Sequence, residues 1–352
     1  MNKFTALGLM SGSSLDGLDI ALCEFINDNE HWTYKIIDAI TVPYDEEWLL
    51  KLQYLAEENA KEIVKTDTDF ALLISTFVND FITKNNHKID LIASHGHTIF
   101  HEPAQSFTHQ IGNGQIIAVN TKHKTINDFR TKDVNLGGQG APLVPIGDKL
   151  LFGDYNFCLN IGGIANISFD DNGLRKAFDI CGANQILNHL SRQLGKPYDN
   201  NGKFAQLGKM NTQLFALLND DPYFKQDLPK SLSNQYIKTN FIDLVDNFEC
   251  YIEDKLYTTV KHIAFQINLS IEKHQKGRIL VSGGGAHNGF LIKALRRETM
   301  HDIVIPNTVV IDFKEALIFA FMGVLRELNK TNCLSSVTGA LKDSSGGTIY
   351  LP

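Results

Sequence analysis

Two apolar runs, residues 7–10 and 20–23, enclose Ser11, Gly12, Ser13, Ser14, Leu15, Asp16, Gly17, Leu18 and Asp19. Glycine has no Cβ and adopts positive φ, so a turn of this composition lets backbone N–H groups converge on an anion while serine hydroxyls add donors. Phosphate is the anion such a turn suits. Two more glycine turns follow apolar stretches, at 160–166 (NIGGIAN) and 282–288 (SGGGAHN). A β-hairpin accounts for any one of them alone; the set points to a phosphate chain. None reads G-x-x-x-x-G-K-[ST] or G-x-G-x-x-G, so a Walker loop and a dinucleotide fingerprint are unsupported. Carboxylates repel phosphate unless a divalent cation lies between them, and Mg2+ takes one or two carboxylates with phosphate oxygens and water. Asp16 is therefore a candidate Mg2+ ligand and Asp19 a weaker one, with plain turn chemistry ahead of Gly17 as the alternative for Asp16.

Strands must position these turns. Hydrophobic periodicity predicts strands near 4–10, 17–26 and 33–42, amphipathic helices near 45–60 and 67–86, and a strand at 88–94, an α/β domain opening with a meander. Residues 102–147 are rich in glycine, proline and polar types and read as extended loops around a short helix at 114–121. From Tyr155 the order apolar strand, glycine turn, apolar strand recurs, followed by a strand in RKAFDI, which predicts two related half-domains. Leu244, Phe248, Ile252, Leu256, Val260, Ile263, Ile267 and Ile271 are spaced by three or four, the core stripe of a long helical region. GRILVSGGGAHNGFLIKAL reads strand, turn, helix, and 313–328 reads as a closing buried helix. At 352 residues the chain exceeds one comfortable core. Two domains are expected, 1–127 and 128–352, with the option that helix 313–328 packs back on the first, and a cleft between domains is a natural ligand site.

Composition narrows the partners. The chain is 43% hydrophobic and 21% charged, and no apolar run approaches the roughly 18 residues of a membrane span, which argues against a membrane partner. The start, MNKFTALGLM, lacks the apolar stretch of a secretory signal, so residence in the cytoplasm is expected. Cys23, Cys158, Cys181, Cys250 and Cys333 are scattered and form no C-x-x-C pair, which fits reduced thiols rather than disulfides or a zinc ribbon. A formal charge of −7 with dispersed Lys and Arg gives no basic stripe and argues against nucleic acid.

The order hairpin, hairpin, strand–glycine–helix resembles the two phosphate loops and the adenosine loop of the actin, hexokinase and acetate kinase superfamily. The likeness then narrows. GLMSGSSLDGLDIAL, SHGHTIFHEP, QIGN, DFRTKDVNLGGQGAPLVP, LNIGGIANIS, YDNNGKFAQLG and SGGGAHNGFL, in this order over nearly the whole chain, look like the anhydro-N-acetylmuramic acid kinases. The resemblance implies an α/β fold of two actin-like (ribonuclease H-like) domains with a central interdomain cleft. It implies an enzyme of peptidoglycan recycling that uses ATP and Mg2+ to open the 1,6-anhydro ring of the sugar and phosphorylate O6, and it leaves a homodimer open.

The same resemblance suggests site residues. Gly12 to Asp19, Gly162, Gly163, Gly283, Gly284 and Gly285 would hold the nucleotide. Asp179, in AFDICGAN, is similar in position to the family's aspartate base; a strand-end carboxylate suits removal of a proton from water attacking the anomeric carbon while O6 takes the γ-phosphoryl. An N-cap for a helix beginning near 183 is the other account of Asp179. Arg130, in DFR, suits a lactyl carboxylate or phosphate because its planar fork binds either in bidentate fashion, with a structural ion pair as the alternative. His95 falls near the sugar together with His97 and His101, and no further Cys or Asp pattern supports a metal cluster there. Gln139, Asn166 and Asn184 are candidates for hydrogen bonds to sugar or phosphate, or for turn stabilisation.

The chain also departs from the family pattern. Cys181 and Ala183 stand where D-x-G-P-G-N has glycines, KSLSNQ replaces K-S-T-G-R-E so that Asn234 and Gln235 take the charged positions, and His97 stands for the glutamine of SHGQT. These changes make a kinase of another amino sugar or anhydrosugar the alternative reading; a non-catalytic nucleotide-binding protein that uses domain closure as a sensor, which the superfamily permits, is a further one.

Overall fold

The apolar runs around the first glycine turn pair as an antiparallel hairpin, β1 (Asn2–Ser11) and β2 (Leu18–Asp28), with Ser11 opposite Leu18 and Met10 opposite Asp19. The structure is a computed structural model that describes residues 2–12, 15–85 and 88–352, so Ser13 and Ser14 lie outside the described residues. β3 (His31–Val42) extends the meander beside β2. Leu7, Leu9, Leu18, Ile20 and Leu22 form one core with Phe70, Ile74, Val78 and Phe81 from the helix Ala60–Asn85. Burying each of these side chains contributes about 1.5–3 kcal/mol. The helix Thr308–Glu327 also approaches β1 closely: a Cβ on Gly8 would sit 1.9 Å from the Ala316 carbonyl oxygen.

β4 (Leu91–Ser94) lies parallel to β1. β5 (His97–Glu102) and β6 (Phe107–Ile111) form a separate two-stranded ribbon, and β7 (Thr125–Asn127) lies parallel to β4. A C-terminal strand, Thr348–Tyr350, completes the sheet beside β7. Its order is C-terminal strand–β7–β4–β1–β2–β3. Helix Gly114–Thr121 falls where expected, with Asn113 accepting from the Gln115 and Ile116 amides as its N-cap. The rest of 102–147 is more ordered than its composition implies. It holds β6, β7 and short helices at Thr131–Asn135 and Pro145–Leu151.

The second sheet repeats the plan. β8 (Phe157–Ile161), β9 (Ile164–Asp171) and β10 (Leu174–Gly182) form an antiparallel meander, and β11 (Arg278–Ser282) and β12 (Asp302–Val304) add parallel strands on the far side of β8. The order β10–β9–β8–β11–β12 matches β3–β2–β1–β4–β7 of the first sheet. Three antiparallel strands followed by two parallel ones, in the order 3-2-1-4-5, is the ribonuclease H-like arrangement. The chain therefore carries two actin-like α/β domains. The long helix beneath the second sheet runs Ile252–Ile271 and not from 244, because a short helix, Asp243–Asn247, ends when Phe248 turns extended at ψ 127°. Val245 and the stripe Leu256, Val260, Ile263, Ile267 and Ile271 still share one core.

The chain divides into Met1–Phe152 with Phe313–Pro352, and Gly153–Asp312. The expected boundary at 127/128 thus falls too early, because 128–152 is bonded into the first unit. Asp133 accepts from Thr338 Oγ1, and the Lys314 ammonium lies 2.6 Å from an Asp148 oxygen, both side chains 5% exposed. Helix residues from Phe313 onward belong to that unit too. All five cysteines are free thiols. Among the described residues no helix is long and apolar enough to cross a membrane.

Candidate active site

In the second unit, strand register lines up four polar residues. Ser282 on β11 pairs with Asn160 on β8, Asn160 with Asn166 on β9, and Asn166 with Asp179 on β10. Directly paired residues in adjacent strands point to one face of a sheet, so the row crosses four strands, with Asn160 and Asn166 flanking the second glycine turn and Ser282 preceding the third. A bulge follows Asp179, where the register shifts before Cys181. Asp179 is half-buried, and its Oδ2 accepts from the Leu232 amide at 2.8 Å. Burial raises its carboxyl above the ordinary range, and the Leu232 hydrogen bond opposes part of that shift. Its main chain is clamped as well: Tyr223 donates its hydroxyl to the Asp179 carbonyl at 2.6 Å, and the Asp179 amide donates to Lys230 at 3.3 Å. The N-cap account fails, because Ala183 occupies the cap of helix Asn184–Gln193 with no side-chain bond.

Gly162 and Gly163 make the turn between β8 and β9. Their carbonyls accept from the amides of Ala183, Asn184 and Gln185, so they satisfy the helix start and leave the glycine N–H groups as the donors of the turn. The third turn separates packing glycines from an open one. A Cβ on Gly283 would meet Asn160 Oδ1 at 2.4 Å and one on Gly285 would meet Ile161 Cγ2 at 2.3 Å, whereas Gly284 faces only Asn184 Nδ2 at 3.7 Å. Gly162 is open in the same way, with Asn160 Nδ2 at 3.5 Å. Asn184 Nδ2 donates to the Ile161 carbonyl at 3.1 Å. Gly162, Gly284, Asn160 and Asn184 therefore border one cradle whose missing side chains packing does not explain.

In the first unit, Gly12 follows β1 and accepts from the Leu15 amide at 3.3 Å. Leu18 is 1% exposed and belongs to the core, so only its backbone can face a ligand. Gly17 is sterically required: its Cβ would lie 2.5 Å from the Val42 carbonyl oxygen. Asp16 is exposed, whereas Asp19 Oδ1 accepts from Thr41 Oγ1 at 2.5 Å. Among the described residues no three His, Cys, Asp or Glu side chains gather as a metal site. An exposed carboxylate such as Asp16 is a ligand type that Mg2+ takes together with phosphate and water.

The same unit has a pocket of about 180 Å3 lined by Met10, Ser11, Gly12, His95, His97, Thr98 and Arg130. His95 is 5% exposed, and its Nδ1 lies 2.9 Å from the Gly96 carbonyl, an acceptor only, so Nδ1 carries the proton. Nε2 then accepts from Arg130 Nε at 3.1 Å and Nη2 at 2.8 Å. Burial and the neighbouring guanidinium hold His95 well below the usual histidine range, so it is neutral. Arg130 Nη1 donates to the Gly140 carbonyl at 2.6 Å. Burial lowers the guanidinium to about 10, and Glu315 is the foremost charge opposing that. In the same pocket Ser11 Oγ accepts from the Tyr44 hydroxyl at 2.8 Å and lies 3.0 Å from His97 Nδ1. Burial pushes His97 down to about 4.

Gln139 is exposed, with its amide donating to the Thr338 carbonyl at 2.8 Å. His101 bonds Thr108 rather than the other two histidines. Tyr44 and Glu315 went unseen in the sequence. A signal existed for Glu315, since Lys314 and Glu315 are the only charges from Phe313 to Leu325. Tyr44 carries none.

The family model described as anhydro-N-acetylmuramic acid kinase matches residues 4–352. The chain belongs to this family. Relatives bearing the family's name include one from Sulfurimonas denitrificans, 34% identical over 98% of this chain and 98% of its own length. A second, from Haemophilus influenzae, is 34% identical over 98% and 97%, and a third, from Bacillus thuringiensis, is 29% identical over 98% and 99%. Among solved structures, a ROK family glucokinase from Streptomyces griseus in complex with glucose and AMPPNP aligns over 90% of this chain and 98% of its own, at 11% identity and a TM-score of 0.40. As an anhydro-N-acetylmuramic acid kinase family member the chain is an ATP-dependent kinase acting on a sugar. Its departures from the family pattern fall in three places, and the first, His97, lines the pocket of the first unit. Cys181 and Ala183 are fully buried in the second core, so their side chains point away from any ligand, and Asn234 Oδ1 accepts from Gln185 Nε2 at 2.7 Å.

Proposed function

We propose that the protein hydrolyses the 1,6-anhydro bond of anhydro-N-acetylmuramic acid and transfers the γ-phosphoryl group of ATP to O6, giving N-acetylmuramic acid 6-phosphate and ADP, in peptidoglycan recycling in the cytoplasm. One observation carries this reading beyond family membership: the polar row that ends at Asp179, a half-buried carboxylate held by the Leu232 amide beside the open glycine cradle. Water attacks the anomeric carbon as Asp179 takes its proton. The bond from that carbon to O6 breaks, and O6 receives the phosphoryl group while ADP leaves. A raised pKa suits the role, because a base works best when its pKa lies nearer the working pH.

The N–H groups of Gly162 and Gly284 and the first turn around Gly12 and Asp16 are assigned to the triphosphate. Mg2+, when bound at Asp16, neutralises phosphate charge. Arg130 is assigned to the lactyl carboxylate: three of its five N–H groups are taken by His95 and Gly140, leaving two for a bidentate acceptor. His97 and Ser11 face the same pocket. Burial of Cys181 and Ala183 supports an unchanged sugar at that stretch.

Replacing Asp179 by Asn tests the assignment. Turnover of the anhydro sugar is expected to fall by roughly 10²–10⁴ with ATP binding kept. Turnover at the wild-type rate would show that another group is the base.

A further inference from the structure

Arg130 is held through a second, deeper carboxylate. Asp133 is 1% exposed, yet both its oxygens are in use. Oδ1 accepts from Thr338 Oγ1 at 2.8 Å and from Cys333 Sγ at 3.1 Å, and Oδ2 accepts from the Gly140 amide at 2.8 Å. The carbonyl of the same glycine takes Arg130 Nη1. We propose that Asp133 is a positioning residue that sets the Arg130 guanidinium, and through it recognition of the sugar carboxylate, by fixing Gly140 from its N–H side. This rests on the assignment of Arg130 above.

The local sequence is shaped around this contact. Gly140 has φ +66°, and a Cβ there would meet Val134 Cγ2 at 2.7 Å. Gly138 passes so near that its Cβ would lie 2.3 Å from Asp133 Oδ2, and its amide donates to the Asp133 carbonyl at 2.9 Å. The glycines of GGQG thus let the loop wrap the carboxylate closely enough for a main-chain amide to reach it. Gln139 pins the same loop to the Thr338 carbonyl. An ionised carboxylate is an acceptor at every position, which is what three converging donors require. Burying such a charge is costly unless it is fully hydrogen-bonded. Here the bonds run toward the pocket: Asp133 to Gly140, Gly140 to Arg130, Arg130 to His95.

The experiment is a mutant cycle of Asp133→Ala and Arg130→Ala, read by steady-state kinetics in both substrates. Asp133→Ala is expected to raise KM for anhydro-N-acetylmuramic acid roughly tenfold, the scale of losing a hydrogen bond that orients a charged group, with KM for ATP unchanged. In the Arg130→Ala background it should add nothing. Asp133→Asn, whose amide oxygen can still accept from Gly140, should restore most of the wild-type KM. Should Asp133→Ala fail to fold, Thr338→Val takes its place, with about a threefold effect expected and the same coupling to Arg130. Independently, the 15N resonance of His95 Nε2 should shift in the Asp133 or Thr338 variant, because Arg130 no longer donates to it in the same geometry. Additive effects in the double variant, or an unmoved His95 resonance, overturn the proposal. If Arg130→Ala leaves the sugar KM unchanged, the carboxylate assignment of Arg130 fails, and the His95 resonance alone then decides whether Asp133 sets the guanidinium.

Discussion

Asp179 and Gly284 give the residue scale its sharpest expectations. A base must be ionised to act, so kcat/KM falls as pH drops through its pKa. Burial lifts the Asp179 carboxyl, which places the acid limb of the pH profile above the ordinary aspartate value of 3.8. A limb at or below that value would contradict the environment described for the side chain. The glycines of the third turn part company under substitution. Gly284→Ala places its methyl in open space and should leave stability within about 0.5 kcal/mol while raising KM for ATP. Gly285→Ala drives a methyl into Ile161 and should destabilise the second unit by about 1–3 kcal/mol. Thermal melts beside ATP kinetics separate the two, and equal behaviour would remove the distinction between cradle and packing glycines. At this scale the sequence shows which residue types stand at strand ends. It does not show that Leu232 feeds Asp179 or that Tyr44 reaches Ser11 across 33 positions, because such bonds exist only once distant segments have met.

Secondary elements were legible where one face is apolar. The meander of β1 to β3, the strands around both hairpin turns and the stripe from Leu256 to Ile271 all follow from periodicity. The ribbon of β5 and β6 was not legible, since HTIFHE and FTHQI alternate no apolar set and carry their polar side chains toward solvent and the pocket. Three-residue strands such as β7 are too short to show a period at all. One element contact has a sharp energetic signature. β1 and helix Thr308–Glu327 approach so closely at Gly8 that an alanine methyl would overlap the Ala316 carbonyl. Gly8→Ala should cost about 1–3 kcal/mol by forcing the strand and helix apart, measurable as a lower urea midpoint. An unchanged midpoint would mean that the helix yields freely.

For the molecule as a whole, the duplicated 3-2-1-4-5 sheet order was foreshadowed by the repeated strand–glycine–strand pattern, while the domain boundary was not, because it depends on which unit claims 128–152. Acid tolerance is a property of the whole fold, and His262 offers a clean probe of it. This ring is fully buried among Phe224 and Phe241, with Nδ1 bonded to Asn219, and burial lowers it to about 3. The folded chain keeps it neutral while the unfolded chain protonates it below the free value of 6.5, so its contribution to stability is lost as pH falls from 6.5 toward 3. His262→Phe removes that loss: relative to wild type, its unfolding free energy should gain about 1.4 kcal/mol per pH unit below 6.5. A pH-independent difference would mean that the imidazole is protonated in the fold. The path of the chain has a further consequence, for synthesis. Residues 153–312 form a continuous unit, whereas the unit that holds residues 1–152 still lacks its buried helix and the strand Thr348–Tyr350 until residues 313–352 emerge. On the ribosome the segment made second is therefore the first to own all its parts, and the opening strands must wait, with their hydrocarbon uncovered, until residues 313–352 have been made.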